Sequence, residues 1–595
     1  MHVLSKQISK SLGLIFILFT LLIVFRTNSI DKKEISWDVF GYYLPLVATF
    51  QQDDALLNDR SWVEKLNTEK QLSGTVYQIS SNDDGEPMYF FLFGMSYFYV
   101  LFYFIGDFLA SWTGNATDGF SLPYQLSLVY GCMLYTLIGL LYFRKILREF
   151  FSENITSIAL LLIVLGTNYS HHMSLKNLET VNVLFMLSTI LIWNTIQWHK
   201  TFQFKNLIWI GMSVALMALV KPSEILFLLL PLLWNVTNKA TFKDKLRRIG
   251  TYKFQFLVVI LCCFLLAFPQ LYYWKIKTGS WIYDTYKNPG VGLDIFSPHI
   301  YNSLFSYRKG WLVYTPLMLF ALTGLYFVYK NNKKIFPAVA ISLFVSSYIV
   351  FSWTEWWYGA GFSNRPMLTY YPLLAIGLGF FLKEFLKWNQ VMQFSIGFSM
   401  LFFVFLNQFQ WWQLRNYILD PYRTTKAYYW ATFLKTEVTP EQKELLLVNR
   451  DFTGNNQFIE KQKYIGKTCV YDFFSGLRGG CFYSPSEEEF GYSYKVPFSE
   501  MTKKDHVWIE LSFDYKSTIT EQPILVAFCM DRKNGAYGYT TFELEQDSTN
   551  WKSKTIHFLT PEIRSKNDIL KIDFWKRSPS NLWMDNLKIM VYEKK

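Results

Sequence analysis

The feature that most constrains this chain is a series of apolar blocks, each long enough to cross a lipid bilayer. The blocks lie near residues 11–26, 88–110, 122–143, 156–170, 178–198, 204–221, 223–237, 254–274, 311–329, 335–353, 366–386 and 391–412. A transmembrane helix needs about 20 apolar residues, so the pattern predicts a polytopic α-helical membrane protein with about 11–13 transmembrane helices. Only 17% of the residues are charged, well below the share in soluble domains, which excludes a wholly soluble protein.

The net charge of +12 comes from basic residues between the blocks rather than from one patch. Examples are Arg144, Lys145 and Arg148, then Lys239, Lys243, Lys245, Arg247, Arg248 and Lys253, then Lys330, Lys333 and Lys334. Basic residues concentrate in cytoplasmic loops, so the distribution predicts a cytoplasmic N-terminus and an external C-terminal region. That topology needs an odd number of crossings, which leaves one crossing in 88–143 open. No nucleic-acid-binding motif accompanies the charge, and we expect no nucleic acid partner.

The first loop, residues 27–87, lies outside the membrane in this topology and contains a carboxylate in unusual surroundings. Asp38 follows the first block closely and has apolar and aromatic neighbours on both sides, in Ile35-Ser36-Trp37-Asp38-Val39-Phe40. Such neighbours predict a segment at the membrane face, where a carboxylate is partly desolvated and held in place. Asp38 is therefore a candidate general base, and a helix cap at the interface is the alternative.

Four basic residues stand at the external membrane boundary, against the usual distribution of charge. They are Lys221, Arg308, Lys309 and Arg365. A cation held there needs an anion, and Arg grips phosphate through two parallel hydrogen bonds. These residues are candidates for binding a phosphate at the outer surface. Snorkelling of the side chains to ordinary lipid phosphates is the alternative.

The order of these motifs resembles the GT-C superfamily of membrane glycosyltransferases, which includes protein O-mannosyltransferases and aminoarabinose transferases. Besides Asp38, the resemblance rests on Asp84-Gly85-Glu86-Pro87-Met88-Tyr89, Lys221-Pro222-Ser223, Ser306-Tyr307-Arg308-Lys309-Gly310-Trp311 and Trp353-Thr354-Glu355-Trp356-Trp357-Tyr358-Gly359-Ala360-Gly361-Phe362-Ser363-Asn364-Arg365. It covers residues 1–412. It implies transfer of a sugar from a polyprenyl-phosphate donor at the periplasmic face of a bacterial inner membrane.

The resemblance also implies roles for single residues. Asp38 matches the acidic residue at the reaction centre, where it would remove the acceptor proton in one inverting displacement. The donor phosphate would be bound by Arg308, Lys309, Arg365 and Lys221. Further substrate-binding candidates are Glu86, which stands where members often carry Lys-Pro-Pro or Tyr-Pro-Gly, and either Glu179 or His172 before the fifth span. Trp356, Trp357 and Tyr358 would stack on the sugar or form an interfacial aromatic belt.

The composition changes after the last block. We therefore divide the chain into a transmembrane domain (1–412), a membrane-proximal connector (413–439) and an external β-domain (440–595). Apolar and polar residues alternate in runs such as 506–515, 524–529 and 582–592, which predicts an all-β, jelly-roll-like sandwich. The run Trp583-Met584-Asp585-Asn586-Leu587-Lys588-Ile589 is similar to the last strand of jelly-roll carbohydrate-binding modules. Cys469 and Cys481 flank a Gly-rich turn, and their pairing stays open.

The leading hypothesis is an integral-membrane glycosyltransferase that uses a lipid-linked sugar and a glycan, lipid or protein acceptor of the cell envelope. Two other classes remain: a transporter whose external cations line a passage, and a carbohydrate sensor with a membrane anchor. No third ligand stands at helical spacing from His171 and His172, so no metal site is predicted. The sequence requires no cofactor and leaves open a divalent metal, the donor sugar, the acceptor and the oligomeric state.

Overall fold

A computed structural model describes residues 9–31, 33–286, 291–447, 466–473, 481–532 and 535–593. Its internal contacts divide the chain into two compact units. One comprises Met1–Tyr286 and Asp294–Leu446, and the other Lys287–Leu293 and Leu447–Lys595. We call them the helical unit and the sandwich unit. The division into 1–412, 413–439 and 440–595 stays a prediction.

The helical unit begins with a long helix followed by a compact insertion. Its first elements are α1 (Lys10–Thr27), α2 (Asp38–Phe50), α3 (Ser61–Lys70), β1 (Ile79–Ser81), β2 (Pro87–Tyr89), α4 (Gly94–Trp112), α5 (Leu122–Phe150), α6 (Glu153–Gly166), α7 (Tyr169–Ser174), α8 (Thr180–Thr201) and α9 (Phe204–Val220). The predicted loop 27–87 is therefore folded: it carries α2, α3 and an antiparallel β1–β2 hairpin.

The second part of the helical unit starts at a 3-10 helix, Pro222–Leu228. It continues with α10 (Leu229–Leu233), α11 (Lys239–Thr251), α12 (Lys253–Thr278), α13 (Ile300–Phe305), α14 (Trp311–Tyr314), α15 (Met318–Asn331), α16 (Phe336–Phe351), a 3-10 helix (Arg365–Tyr370), α17 (Tyr371–Phe385), α18 (Gln390–Arg415), α19 (Lys426–Thr432) and α20 (Pro440–Lys443).

Six helices of the described residues are long and apolar enough to cross a membrane: Lys10–Thr27, Leu122–Phe150, Thr180–Thr201, Lys253–Thr278, Arg365–Phe385 and Gln390–Arg415. Shorter apolar helices are Glu153–Gly166, Phe204–Val220, Pro222–Leu233 and Phe336–Phe351. The predicted fold class, a helical membrane protein with a C-terminal β-domain, is confirmed. The larger number of about 11–13 crossings stays a prediction.

Several apolar blocks are interrupted, and prolines explain part of this. Block 311–329 splits into α14 and α15 around Pro316, and Pro222 ends α9. Proline has no N–H to continue the helical hydrogen bonds, and its ring clashes with the preceding turn. Block 88–110 becomes helical only at Gly94, because Pro87–Tyr89 pairs as a strand with Ile79–Ser81.

Glycines allow close contact between helices at two places in the helical unit. A Cβ on Gly94 would lie 2.3 Å from the backbone of Leu219, so α4 begins against the end of α9. A Cβ on Gly324 would lie 2.0 Å from the carbonyl oxygen of Gly377, so α15 and α17 pack with their backbones in contact. Such contacts are typical of helix pairs in membranes, where packing replaces the hydrophobic effect.

The sandwich unit consists of two antiparallel sheets. Its described strands are β3 (Gly466–Phe473), β4 (Phe482–Ser484), β5 (Phe490–Pro497), β6 (Trp508–Ser517), β7 (Ile524–Arg532), β8 (Gly535–Glu543), β9 (Lys552–Leu559), β10 (Ile569–Lys576) and β11 (Leu582–Glu593). A short helix, α21 (Phe498–Met501), follows β5. One sheet has the order β5-β10-β7-β8 and the other β3-β11-β6-β9, with β4 also paired to β11.

Period-two alternation explains the sandwich core. In β6 the side chains of Ile509, Leu511 and Phe513 are buried, while the residues between them are partly exposed. They join one apolar cluster with Ile572 and Phe574 of the other sheet. Successive strand residues point to opposite faces, so one face of each sheet forms the core. The side chain of Cys469 lies outside the described residues, so the pairing with Cys481 stays open.

Candidate active site

Three charged residues from distant parts of the helical unit meet at one point. Arg365 donates a hydrogen bond from one terminal nitrogen to Glu179 Oε2 at 2.8 Å, and its other terminal nitrogen lies 3.3 Å from Asp38 Oδ2. Arg365 opens a 3-10 helix, Glu179 immediately precedes α8, and Asp38 is the first residue of α2. The carboxylates of Asp38 and Glu179 therefore share one guanidinium, an arrangement that satisfies charges removed from water.

The backbone around Asp38 is held by the folded first loop. Trp37 has φ of 53°, a left-handed conformation that is costly for a bulky residue. Its N–H donates to the carbonyl of Leu72 at 2.9 Å, and its own carbonyl accepts from Gln78 Nε2 at 3.1 Å. These bonds hold the strained turn that aims Asp38 at Arg365.

Tyr77 is the second partner of Asp38. Its hydroxyl donates to Asp38 Oδ1 at 2.7 Å. Burial, together with the charge of Asp38, raises the pKa of Tyr77 well above its usual range, so the hydroxyl keeps its proton and remains a donor. Asp38 is 31% exposed, which leaves its carboxylate accessible from one side.

Glu179 occupies the more enclosed position of the two carboxylates. Burial alone would raise its pKa, but Arg365 and Lys176 hold the pKa below its usual value. The Lys176 ammonium lies 3.8 Å from Glu179 Oε1. The Glu179 side chain is 12% exposed; it therefore stays ionised although it is largely enclosed, and it balances the charge of Arg365.

Lys309 is a buried ammonium beside this cluster. Its side chain is almost inaccessible, and Nζ donates to the carbonyl of Gly361. Burial lowers the pKa of Lys309 far below its usual range, and the charges of Arg365 and Arg308 lower it further. Nearby Asp420 and Glu179 oppose this shift. An anion that entered the site would favour the charged form of Lys309.

Arg308 packs against an aromatic group. Its guanidinium carbon lies 4.1 Å from the ring centre of Trp357 and 6.0 Å from that of Trp356, and Nε donates to the carbonyl of Tyr422 at 2.8 Å. The flat guanidinium stacks on aromatic rings as a cation–π contact. The predicted tryptophans thus touch one of the predicted phosphate-binding residues.

Lys221 lies beside Glu224, a carboxylate that the sequence analysis did not include among the site residues. Its Nζ lies 3.9 Å from Glu224 Oε1 and 5.0 Å from the ring centre of Tyr358. Glu224 is buried and accepts a hydrogen bond from the hydroxyl of Tyr370 at 3.2 Å. Glu224 stands at the start of an apolar block, and that isolated charge was the available signal.

Glu179 and His172, the two candidates for the substrate-binding position before the fifth span, have different surroundings. Glu179 contacts Arg365, whereas His172 Nε2 lies 3.1 Å from the carbonyl of Phe362. Burial lowers the pKa of His172 to about 4, which leaves the ring neutral at neutral pH. His171 stacks edge-on at 4.8 Å from His172. Among the described residues, no group of three or more His, Cys, Asp or Glu side chains is arranged to hold a metal ion.

Glu86 has different partners from the other candidates. It lies in the β1–β2 turn, accepts from Asn82 Nδ2 at 3.2 Å, and is 3.8 Å from the ammonium of Lys277. Its side chain is largely exposed. The geometry brings together Asp38, Glu179 and Arg365 by direct contact and surrounds them with Lys309 and Lys221. Glu86 takes no part in these contacts.

Comparison with known proteins gives one family match, which lies within the helical unit. Residues 121–273 match the family model described as dolichyl-phosphate-mannose-protein mannosyltransferase, about a quarter of the chain. No curated protein sequence matches. Among solved structures, a chain entitled "Family 16 Carbohydrate Binding Module-2" is similar to 20% of this chain and 84% of its own length, with 17% identity and a TM-score of 0.14. The family match confirms the resemblance seen in the sequence and supports a membrane glycosyltransferase of the GT-C type.

Proposed function

We propose that this protein transfers a sugar from a polyprenyl-phosphate donor to a cell-envelope acceptor, with inversion at the anomeric carbon. The observation that carries the proposal is the shared contact of Asp38 and Glu179 with Arg365. A partly accessible carboxylate beside a partly buried guanidinium provides a base and an anion-binding group within one site. Donor type, acceptor and membrane side are parts of this proposal.

Asp38 acts as the general base. A carboxylate has about four lone-pair directions, and the contacts with Tyr77 and Arg365 use two of them. An acceptor hydroxyl donates to a remaining position, and its oxygen attacks the anomeric carbon. The new bond between carbon and acceptor oxygen forms as the bond to the donor phosphate oxygen breaks. The proton goes to Asp38 and the electron pair leaves with the phosphate.

Lys309, Arg365 and Lys221 stabilise the departing phosphate. Lys309 has a backbone carbonyl as its hydrogen-bond acceptor and lies in the field of Arg365 and Arg308. The negative phosphate compensates these charges and draws a proton onto Lys309. Electrostatic stabilisation of this kind is worth several kcal/mol, about a hundredfold or more in rate.

An apolar cavity beside α2 suits the polyprenyl chain. It is lined by Pro45 and Phe50 of α2, Tyr97 of α4 and Tyr273 of α12, among others. The helix that begins with Asp38 thus continues into an apolar wall. A lipid-linked donor needs both features, a charged end for the phosphate and an apolar surface for the chain.

The test is transfer by the purified full-length protein from a set of polyprenyl-phosphate sugars to cell-envelope extract. Asp38→Asn removes the base and keeps the side-chain shape. Asp84→Asn is the matched control, because Asp84 is an exposed carboxylate of the same first loop. Loss of transfer in the first variant alone supports the proposal. Equal transfer by folded Asp38→Asn and wild type would refute the role of Asp38.

The location of the site is tested separately. We propose a site at the periplasmic face of the bacterial inner membrane, with the N-terminus in the cytoplasm. Single cysteines introduced at positions 38, 308 and 365 are expected to react with a membrane-impermeant maleimide added to spheroplasts. Reaction only after the membrane is opened would place the site on the cytoplasmic side instead.

We further propose that the sandwich unit binds a glycan on the outer face of its β5-β10-β7-β8 sheet. Outward-facing Leu525, Ala527 and Cys529 of β7 are buried. β7 lies between β10 and β8, and in this proposal the three side chains form the floor of a trough whose walls include Trp575 and Tyr539. In the strand register Trp575 lies opposite Leu525, and Tyr539 is 56% exposed.

Polar groups line the same trough. Asp573 lies opposite Ala527 in the register, accepts from Ser493 Oγ, and pairs with Lys571 at 2.9 Å. Aromatic faces stack on sugar rings, while carboxylate and ammonium groups bond to hydroxyls. Glycan-array binding by the full-length protein, compared with Trp575→Ala, tests this proposal. Unchanged binding in that variant would refute a trough site.

A further inference from the structure

One face of helix α11, Lys239–Thr251, packs against the rest of the helical unit. Lys245 is buried, and its Nζ bonds to His199 Nε2 and donates to the carbonyl of Pro231 at 3.1 Å. The guanidinium carbon of Arg248 lies 4.6 Å from the ring centre of Phe202. These contacts fix the rotation of α11 about its axis, and they determine which side chains point away from the protein.

A second face of α11 exposes large apolar side chains. Phe242 is 47% exposed and Leu246 is 52% exposed, and Ile249 continues the same stripe with partial exposure. Positions separated by three and four residues lie on one side of a helix. A stripe of exposed apolar residues on an otherwise polar helix is typical of a helix that lies in a membrane interface.

A third face carries a basic stripe directly beside the apolar one. Lys239, Lys243 and Arg247 follow one another at intervals of four residues, and all three are exposed. None of them forms an ion pair with a residue in the described part of the chain. The four-residue spacing aligns three cations along one line, and the apolar stripe lies between this line and the protein.

The position of α11 in the chain determines what it faces. Helix α12 begins at Lys253, two residues after α11 ends, and it contains the most apolar stretch of the candidate membrane spans. Phe254, in its first turn, is 75% exposed. Since α12 enters the bilayer, the preceding helix lies at the bilayer surface, where lipid phosphates are available.

We propose that α11 is an interfacial helix that binds anionic phospholipid head groups through Lys239, Lys243 and Arg247, with Phe242 and Leu246 inserted among the acyl chains. Charge complementarity selects an anionic head group over a zwitterionic one. Lipid binding would hold the start of α12 at a fixed depth. This inference does not depend on glycosyl transfer.

The first experiment measures retained lipid. Full-length protein is reconstituted in nanodiscs of equimolar phosphatidylcholine and phosphatidylglycerol, re-extracted in detergent, washed, and assayed for bound phospholipid by native mass spectrometry. The variant Lys239→Gln/Lys243→Gln/Arg247→Gln is compared with Lys330→Gln/Lys333→Gln/Lys334→Gln. The control removes the same number of exposed cations from the last turn of α15 and the residues that follow it.

We expect the α11 variant to retain about tenfold less phosphatidylglycerol than wild type, and the control variant to retain nearly all of it. Equal losses in both variants would indicate a general charge effect and overturn the proposal. Unchanged retention in the α11 variant would also overturn it. Release of the wild-type lipid by inorganic phosphate or by RNA at matched ionic strength would identify a soluble polyanion as the preferred ligand, with the same consequence.

The second experiment measures insertion of the apolar stripe. An environment-sensitive fluorophore is attached to Leu246→Cys or to Ala240→Cys in a background that carries Cys481→Ser. Position 240 is exposed on a different side of α11. We expect lipids with brominated acyl chains to quench the label at 246 at least about threefold more than the label at 240. Equal quenching would exclude the proposed orientation.

Discussion

The two units of this protein build their polar sites in opposite ways. In the helical unit, Arg365 meets Glu179 and Asp38 across separations of 186 and 327 residues in the chain. In the sandwich unit, Trp575 and Asp573 lie two residues apart on one strand, and strand pairing places their neighbours. The first site depends on the packing of many helices. The second depends on the local alternation of a sheet.

The comparison shows where each unit is vulnerable. The charges of Asp38, Glu179 and Arg365 are partly removed from water, so loss of one partner leaves the others with less compensation. Aromatic rings on the outer sheet face are partly hydrated, and their removal exposes little new surface. We therefore expect large effects of single substitutions at the buried ion cluster and small effects on stability at the trough.

The largest expected effect is on transfer by Asp38→Asn. We expect turnover to fall by about a hundredfold to ten-thousandfold, because general base catalysis is lost while the amide still accepts the Tyr77 hydrogen bond. The measurement is the turnover number with a saturating donor. Asp84→Asn is expected to stay within about twofold of wild type. A similar loss in both variants would show that the first loop needs its charge rather than a base at position 38.

The next largest effect is on stability and concerns the buried residue Arg26. Its partners, Glu34 and Asn177, are close in sequence to Asp38 and Glu179. Arg26 binds Glu34 through two nitrogens at 2.8 and 2.6 Å, and its Nε donates to Asn177 at 3.0 Å. Arg26→Gln leaves Glu34 unpaired, and we expect a loss of about 3–5 kcal/mol in the free energy of unfolding.

The control for Arg26 is an exposed pair in the same unit. Arg60 bonds to Glu64 at 2.7 Å, and the two side chains are 47% and 53% exposed. Arg60→Gln is expected to change the free energy of unfolding by about 0–1 kcal/mol. Thermal unfolding in detergent measures both variants. Equal shifts would contradict the contrast between buried and exposed charges.

The pH dependence of stability tests His172. Burial lowers its pKa from 6.5 to about 4, so the unfolded chain binds more protons between these values. The contribution of neutral His172 to the free energy of unfolding is therefore fully present above pH 6.5. It is lost as the pH drops toward 4, by a total on the order of 3 kcal/mol. His172→Gln is expected to flatten the acidic side of the stability profile. Parallel profiles for variant and wild type would exclude this contribution.

The smallest expected effect is in the sandwich unit. Trp575→Ala is expected to weaken glycan binding roughly tenfold, the loss expected for one aromatic platform, with a change in the free energy of unfolding below about 1 kcal/mol. Trp551→Ala is the control, because Trp551 is 48% exposed outside the sheets. Titration of the full-length variants with a bound glycan measures the affinity. A large loss of stability would show that Trp575 supports the fold.

Parts of the candidate site were accessible from the sequence, for a local reason. Asp38 stood out because apolar residues surround it, and Arg365 because a cation at the external boundary is unusual. Both signals lie within a few residues. Tyr77 and Arg26 gave no comparable signal, since Tyr77 bonds to Asp38 and Arg26 to Asn177, and both partners are far away in the chain. The catalytic and binding roles of the site residues stay predictions.

The sequence by itself determined the class of each region, apolar helices followed by a β-sandwich, because hydrophobic partition and strand alternation average over many neighbouring residues. Only the tertiary structure decided that Asp38, Glu179 and Arg365 meet, that Glu86 turns to Lys277, and that α2 and α3 fold within the first loop. Contacts near 3 Å depend on how whole helices pack and where prolines interrupt them, and that information is distributed over the entire chain.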